Sequence, residues 1–207
     1  MTRKLSPGKI VIASHNQGKV SEIDELLGPY GMEPICAADL GLPEPDETED
    51  SFLGNALIKA RAAVAGSRLV SLADDSGLMV DALGGAPGVY TADWAERQTY
   101  EGPPGRDWYM AMGKVEGKLA ELGPDTARTA HFVSTLVLAW PDGDYAVFEG
   151  RASGTLVWPP RGRYGFGYDP VFQPLGQTLT FGEMAPKEKR AMNHRALAFA
   201  KLVTASF

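Results

Sequence analysis

The dipeptide Asp74-Asp75 ends an apolar run, Leu69-Val70-Ser71-Leu72-Ala73, and no other stretch constrains the fold of this chain as much. The run is short, carries a β-branched residue and meets polar residues abruptly, so it reads as a buried strand rather than a helix. Asp74 and Asp75 are then expected at the strand's carboxyl end, the edge where open α/β sheets bind ligands. Ser76-Gly77 reads as a turn, with Gly77 free to take a positive φ. Alternation of Leu78, Val80 and Ala82 with Met79, Asp81 and Leu83 predicts a second short strand before the loop Gly84-Gly85-Ala86-Pro87-Gly88. Adjacent carboxylates at such an edge are either solvated turn residues or oxygen ligands for a hard cation such as Mg²⁺.

A second apolar run, Lys9 to Ser14, reads as a buried parallel strand and breaks into His15-Asn16-Gln17-Gly18-Lys19. Val20, Ile23, Leu26 and Leu27 then recur at helical spacing until Gly28-Pro29 stops the pattern. Strand, Gly-containing turn and helix together aim backbone N–H groups and a helix dipole at an anion, and Lys19 adds a full charge. The alternative is a plain turn with a solvated lysine. A Walker A loop is excluded, because Ala13 stands where the first Gly belongs and Val20 where Ser or Thr belongs. After a short apolar piece around Ile35 comes a loop with Pro43, Pro45 and five acids between Glu44 and Asp50. A helix is expected from about Ser51 to Ala65, with Leu53, Leu57, Ala60 and Val64 as its buried stripe. Asn55 and Lys59, four apart on a different face, are either a solvated pair or a phosphate-binding pair.

With 207 residues and 44% apolar content, the chain can bury one α/β core, and a single domain is the default. Cys36 is the only cysteine, which excludes an intramolecular disulfide. A net charge of −6 argues against general attraction to nucleic acid or an anionic membrane. No window approaches eighteen apolar residues and the start lacks a signal-peptide core, so a soluble cytoplasmic protein is expected. Residues 97 to 128 read as a helical segment around Tyr109, Met112, Val115 and Leu119. Ala130 to Trp140 and Tyr145 to Thr155 read as a hairpin closed by Pro141-Asp142-Gly143-Asp144, an added meander or a dimer surface.

The loop Arg161 to Pro170 alternates glycines with aromatics and could lay a ring against a base. It fails as an RNA-recognition octamer at Tyr164, Asp169 and Val171, so RNA binding is discounted. A final helix is expected from about Lys187, burying Met192, Ala196, Phe199 and Val203, with Lys189, His194 and Arg195 clustered near its start.

Five blocks in register, Ser14-His15-Asn16-Gln17-Gly18-Lys19, Glu47-Thr48 with Ser51-Phe52 and Asn55-Ala56, Ala73-Asp74-Asp75-Ser76-Gly77, Phe166-Gly167-Tyr168-Asp169-Pro170, and Lys189 with His194-Arg195, resemble the inosine/xanthosine triphosphate pyrophosphatase family. The resemblance covers nearly the whole chain. It implies an elongated α/β fold, a mixed sheet flanked by helices in two lobes with an active-site cleft between them, within one domain over 1–207. It also implies a homodimer, Mg²⁺ dependence, and hydrolysis of ITP, dITP and XTP to the monophosphate and pyrophosphate.

By position, Ser14 to Lys19 match the triphosphate-binding turn, Asp75 the general base, and Glu47 and Asp75 the metal-linked acids; Glu47, Asp74 and Asp75 are expected to hold the metal. Lys19, Lys59 and Lys189 are expected on phosphate oxygens. Asn55, Ser76, Phe166, Gly167, Tyr168, Asp169, Lys189, His194 and Arg195 complete the substrate-binding set. Two departures stand out: Thr91-Ala92-Asp93 where similar sequences read Ser-Ala-Arg, and Asn193 where they read Ser, at an expected helix cap. The rival readings are a related pyrophosphatase for modified pyrimidine nucleotides and a nucleotide-binding module without turnover.

Overall fold

The computed structural model describes residues 3–15, 17–97 and 105–207, with the backbone alone described for Gln17 and Gly18. The chain runs β1 (Gly8–Ile12), α1 (Gln17–Leu27), β2 (Met32–Cys36), α2 (Phe52–Ser67), β3 (Ser71–Val80), α3 (Trp108–Leu122), β4 (Thr129–Ala139), β5 (Tyr145–Leu156), β6 (Phe172–Pro174), α4 (Pro186–Met192) and α5 (His194–Ser206). Six strands form one sheet in the order β2-β1-β3-β4-β5-β6. β1 pairs in parallel with β2 and β3, whereas β5 pairs antiparallel with β6, so the sheet is mixed as expected.

By contact the chain divides into two compact units, residues 1–75, 134–150 and 197–207 in the first and 76–133 and 151–196 in the second. β3, β4 and β5 each contribute to both. In the first unit the sheet is covered on two faces, which is why its strands read as continuous apolar runs. Val11, Ala13, Ala73 and Val137 meet an alanine face of α2, Ala56, Ala60 and Ala63. The alternate positions Ile10, Ile12, Leu72, Leu136 and Leu138 meet Ile23 and Leu27 of α1 and Ala198, Phe199 and Leu202 of α5. The second unit packs Leu78, Val80, Ala130, Phe132 and Leu156 against Met112, Val115 and Leu119 of α3, with Tyr168, Phe172 and Phe181 closing the core.

Several sequence expectations are corrected. β3 does not end before Asp74; it continues through Asp74, Asp75, Ser76 and Gly77 to Val80, so the two short strands are one and Ser76-Gly77 is no turn. β4 is no added meander: it lies between β3 and β5 and is buried from Ala130 to Ala139. In α2 the buried residues are Asn55, Ala56, Lys59, Ala60 and Ala63, whereas Leu53 is exposed. Small side chains let the helix approach the sheet closely, which the larger residues of the expected stripe would not. The C-terminal helix is broken at Asn193, whose extended backbone ends α4 and whose side chain caps α5 by accepting from the Ala196 N–H at 2.8 Å. α3 lies within the expected segment 97–128, of which residues 98–104 fall outside the described residues.

Candidate active site

Strand geometry decides what the Asp pair can do. Successive side chains of a strand point to opposite faces. Asp75 therefore shares the α2 side with Ala73, and Asp74 shares the α1 and α5 side with Leu72.

On the α2 side, Lys59 Nζ donates to Asp75 Oδ1 and to Glu47 Oε1, both at 2.9 Å. The ammonium and Asp75 are almost wholly buried, while Glu47 is 38% exposed and reaches the surface from the acidic loop. Asn55 holds that loop, its Oδ1 accepting from the Glu49 N–H at 2.9 Å, and Ser51 caps α2 through the Gly54 N–H. Asp75 Oδ2 is buried and has no hydrogen-bond partner. Burial pushes the Asp75 carboxyl above its ordinary range; Lys59 and Lys19 pull it back, and Glu47 adds to the rise. Burial opposes the Lys59 charge, but the attraction of Asp75 and Glu47 outweighs it and its pKa is raised.

On the opposite side, Asp74 is fully buried beside Ser134 and Lys19. Ser134 Oγ donates to Oδ1 at 2.7 Å, and Lys19 Nζ lies 3.1 Å from Oδ2. Ser14 is buried after β1, its carbonyl accepting from Cys36 Sγ at 3.4 Å. His15 Nε2 donates to the Leu42 carbonyl at 3.0 Å, because a carbonyl only accepts, and its Nδ1 lies 4.0 Å from Glu44. Gln17 and Gly18 belong to the first turn of α1; Asn16 lies outside the described residues.

The second unit holds the remaining candidates. Asp169 Oδ2 accepts from the Phe166 N–H at 2.8 Å and from Lys189 Nζ at 2.6 Å. Gly165 takes φ +73°, and a Cβ there would run into the Asp169 carboxylate, so this loop needs glycine for both reasons. The Phe166 ring is 50% exposed with Lys189 Nζ 5.1 Å from its centroid. Gly167 also has a left-handed backbone, φ +66°. Tyr168, expected in the substrate-binding set, is 1% exposed and edge-on to Trp108, and burial pushes its phenol pKa up. His194 is buried and stacked on Phe132 at 5.0 Å, and Arg195 donates to Ser76 Oγ at 3.4 Å.

The structure thus gathers Lys19, Asp74 and Ser134 in one cluster, Glu47, Lys59 and Asp75 in another, Phe166, Asp169 and Lys189 in a third, and Ser76 with Arg195. Ser134 was not foreseen, since one serine in an apolar strand carries no pattern. Among the described residues no three His, Cys, Asp or Glu side chains are grouped to hold a metal ion. Mg²⁺ ordinarily needs only one or two protein carboxylates beside substrate phosphates, and Asp75 with its unpartnered oxygen, next to Glu47, fits that requirement.

The architecture is that of a mixed α/β protein with buried lysine–carboxylate pairs on both faces of β3. More narrowly, the chain belongs to the Ham1 family, whose model matches residues 10–205. It is 56% identical over 207 residues to a Brucella melitensis protein named dITP/XTP pyrophosphatase, covering 95% of this chain and 92% of that protein. It is 57% identical to a Caulobacter vibrioides protein of the same name, covering 96% and 98%. Its structure is similar to that of a HAM1 protein from Coxiella burnetii, with a TM-score of 0.86, 35% identity and coverage of 95% and 96%.

Proposed function

We propose that this chain hydrolyses noncanonical purine nucleoside triphosphates, ITP, dITP and XTP, to the nucleoside monophosphate and pyrophosphate. The observation that carries the reading is the buried Asp75 with an unpartnered oxygen and a raised pKa, an arrangement suited to a general base. The names of the relatives agree with it. Asp75 accepts a proton from water as the water oxygen bonds to the α-phosphorus, and the bond to the α–β bridging oxygen breaks to release pyrophosphate. Lys59 holds Asp75 and Glu47 in place and, with Lys19 and Lys189, faces phosphate oxygens; such positioning and charge neutralisation supply most of the rate in phosphoryl transfer. Glu47 and Asp75 would hold Mg²⁺, which neutralises and orients the phosphates when bound. Asp74, occupied by Ser134 and Lys19 on the other face, serves Lys19 in this reading rather than the metal.

The base lies on Phe166, with Arg195 and His194 as donors. Hypoxanthine and xanthine present an O6 acceptor and an N1–H donor, whereas adenine presents the reverse, so a donor aimed at O6 rejects ATP. The proposal includes one catalytic domain over 1–207, a homodimer and a cytoplasmic location. No helix among the described residues is long and apolar enough to cross a membrane.

The test is chromatography of products from ITP, dITP, XTP, dUTP and ATP, with and without Mg²⁺. Monophosphate and pyrophosphate from the first three, only with Mg²⁺, are expected. Diphosphate plus orthophosphate would refute attack at the α-phosphorus. Preference for dUTP would favour the pyrimidine enzyme, and binding without turnover the sensing module.

A further inference from the structure

We propose that Ser134 is a positioning residue that fixes the phosphate-binding Lys19 through Asp74. The inference rests on the reading that Ser14 to Lys19 hold the triphosphate, and it adds a residue on a distant strand to that cradle. Ser134 is fully buried in β4 among Phe132, Val133, Leu136 and Val137. A hydroxyl there loses its hydration and packs no better than a methyl group, so its value lies in its partner. That partner is Asp74 Oδ1 at 2.7 Å, from a residue 60 positions away in the chain.

The chemistry of the two side chains explains why a third group is needed. A lysine is a point charge on a flexible four-carbon stem, so its location is set by what it pairs with. Here it pairs with Asp74 Oδ2 at 3.1 Å. The terminal torsion of an aspartate is broad and turns easily. The Ser134 hydroxyl, bound to one oxygen, fixes the carboxylate plane and thereby aims the other oxygen at α1. The Lys19 side chain is still 16% exposed, so its ammonium stays within reach of a ligand while its base is anchored. Remove the hydroxyl, and Asp74 keeps its charge but loses its orientation. Lys19 then samples a wider volume and holds phosphate less well.

The experiment is a double-mutant cycle with Lys19→Met and Ser134→Ala, read by calorimetric binding of inorganic tripolyphosphate in EDTA and by steady-state hydrolysis of ITP with Mg²⁺. Ser134→Ala should weaken tripolyphosphate binding about fivefold, the scale of an ordinary net hydrogen bond. It should raise KM for ITP by a similar factor, with kcat falling less than about twofold. Ser134→Thr, which keeps the hydroxyl, should restore binding, and Thr135→Val, a change at a neighbouring buried hydroxyl, should leave it unaltered. In the Lys19→Met background Ser134→Ala should add less than about twofold, because both changes act on one contact.

The proposal is overturned if Ser134→Ala leaves binding unchanged, if its effect persists in full without Lys19, or if Ser134→Thr and Thr135→Val weaken binding as much as Ser134→Ala. Binding and turnover separate the two readings. If the chain releases no pyrophosphate from ITP yet the binding cycle shows the coupling, the enzymatic reading fails and the role of Ser134 stands.

Discussion

The two charged regions are built by different means. In the first unit Lys19, Lys59, Asp74 and Asp75 pair from strand β3 and helices α1 and α2, and Glu47 alone reaches in from a loop. In the second unit Asp169, Lys189 and Phe166 meet around an irregular loop whose path depends on Gly165 and on one carboxylate oxygen. The first arrangement suits a task common to every nucleotide, holding phosphate and moving a proton. The second suits a task that differs between nucleotides, because an irregular loop can change its reading of a base without disturbing the sheet.

The largest expected effect breaks the first region. Asp75→Asn keeps the shape and removes the base, so kcat should fall at least about 10²-fold, the range for lost general-base catalysis, with KM changed far less. The wild-type profile checks the same residue. Its pKa is raised, chiefly by burial, and the ionised form is the base, so kcat/KM should decline as the pH falls through a value above the ~3.9 of a free aspartate. Near-normal turnover of Asp75→Asn would move the base to Glu47.

The next effect breaks the second region. Gly165→Ala forces a side chain into a left-handed backbone and against Asp169, at a cost of about 1–3 kcal/mol. Thermal melting should show the loss, and KM for ITP should rise about tenfold with kcat reduced less than about threefold. An unchanged KM would mean that the loop is not anchored where the structure puts it.

The smallest effect sharpens the contrast within the second region. Phe166→Ala should raise KM for ITP and ATP by the same factor, since stacking contributes about 1–3 kcal/mol for any base. Arg195→Ala should instead narrow the gap between ITP and ATP, because it removes a polar match. Equal losses for both nucleotides in Arg195→Ala would make Arg195 a phosphate or structural contact.

Much of the fold was legible because local signals agreed with the packing. The runs at Lys9 to Ser14 and Leu69 to Ala73, the stop at Gly28-Pro29, the Ser51 cap and the turn Pro141 to Asp144 all correspond to observed elements. The errors have physical causes. Asp and Gly disfavour strands, yet Lys19, Ser134 and Lys59 offset the burial of two aspartates and let β3 run on. In α2 periodicity favoured the large residues, but close packing on the sheet selected the alanine face and carried Lys59 inward with it. Tyr168 lies in an aromatic-rich loop, and its burial comes from long-range packing against Trp108 and the rest of the second unit's core. What the sequence did not disclose about the candidate site was its partners, since pairs such as Ser134 with Asp74 join distant stretches of chain.

The pleat of β3 makes a repeated letter in the sequence into two unlike addresses. A shift of β3 by one position relative to β1 and β4, in either direction, would leave an aspartate at only one of the two places, with Ala73 or Ser76 at the other. The doubled aspartate therefore cannot serve as a spare copy of itself. Each carboxylate is defined by the helix it faces, and the identity of the residue carries no record of which.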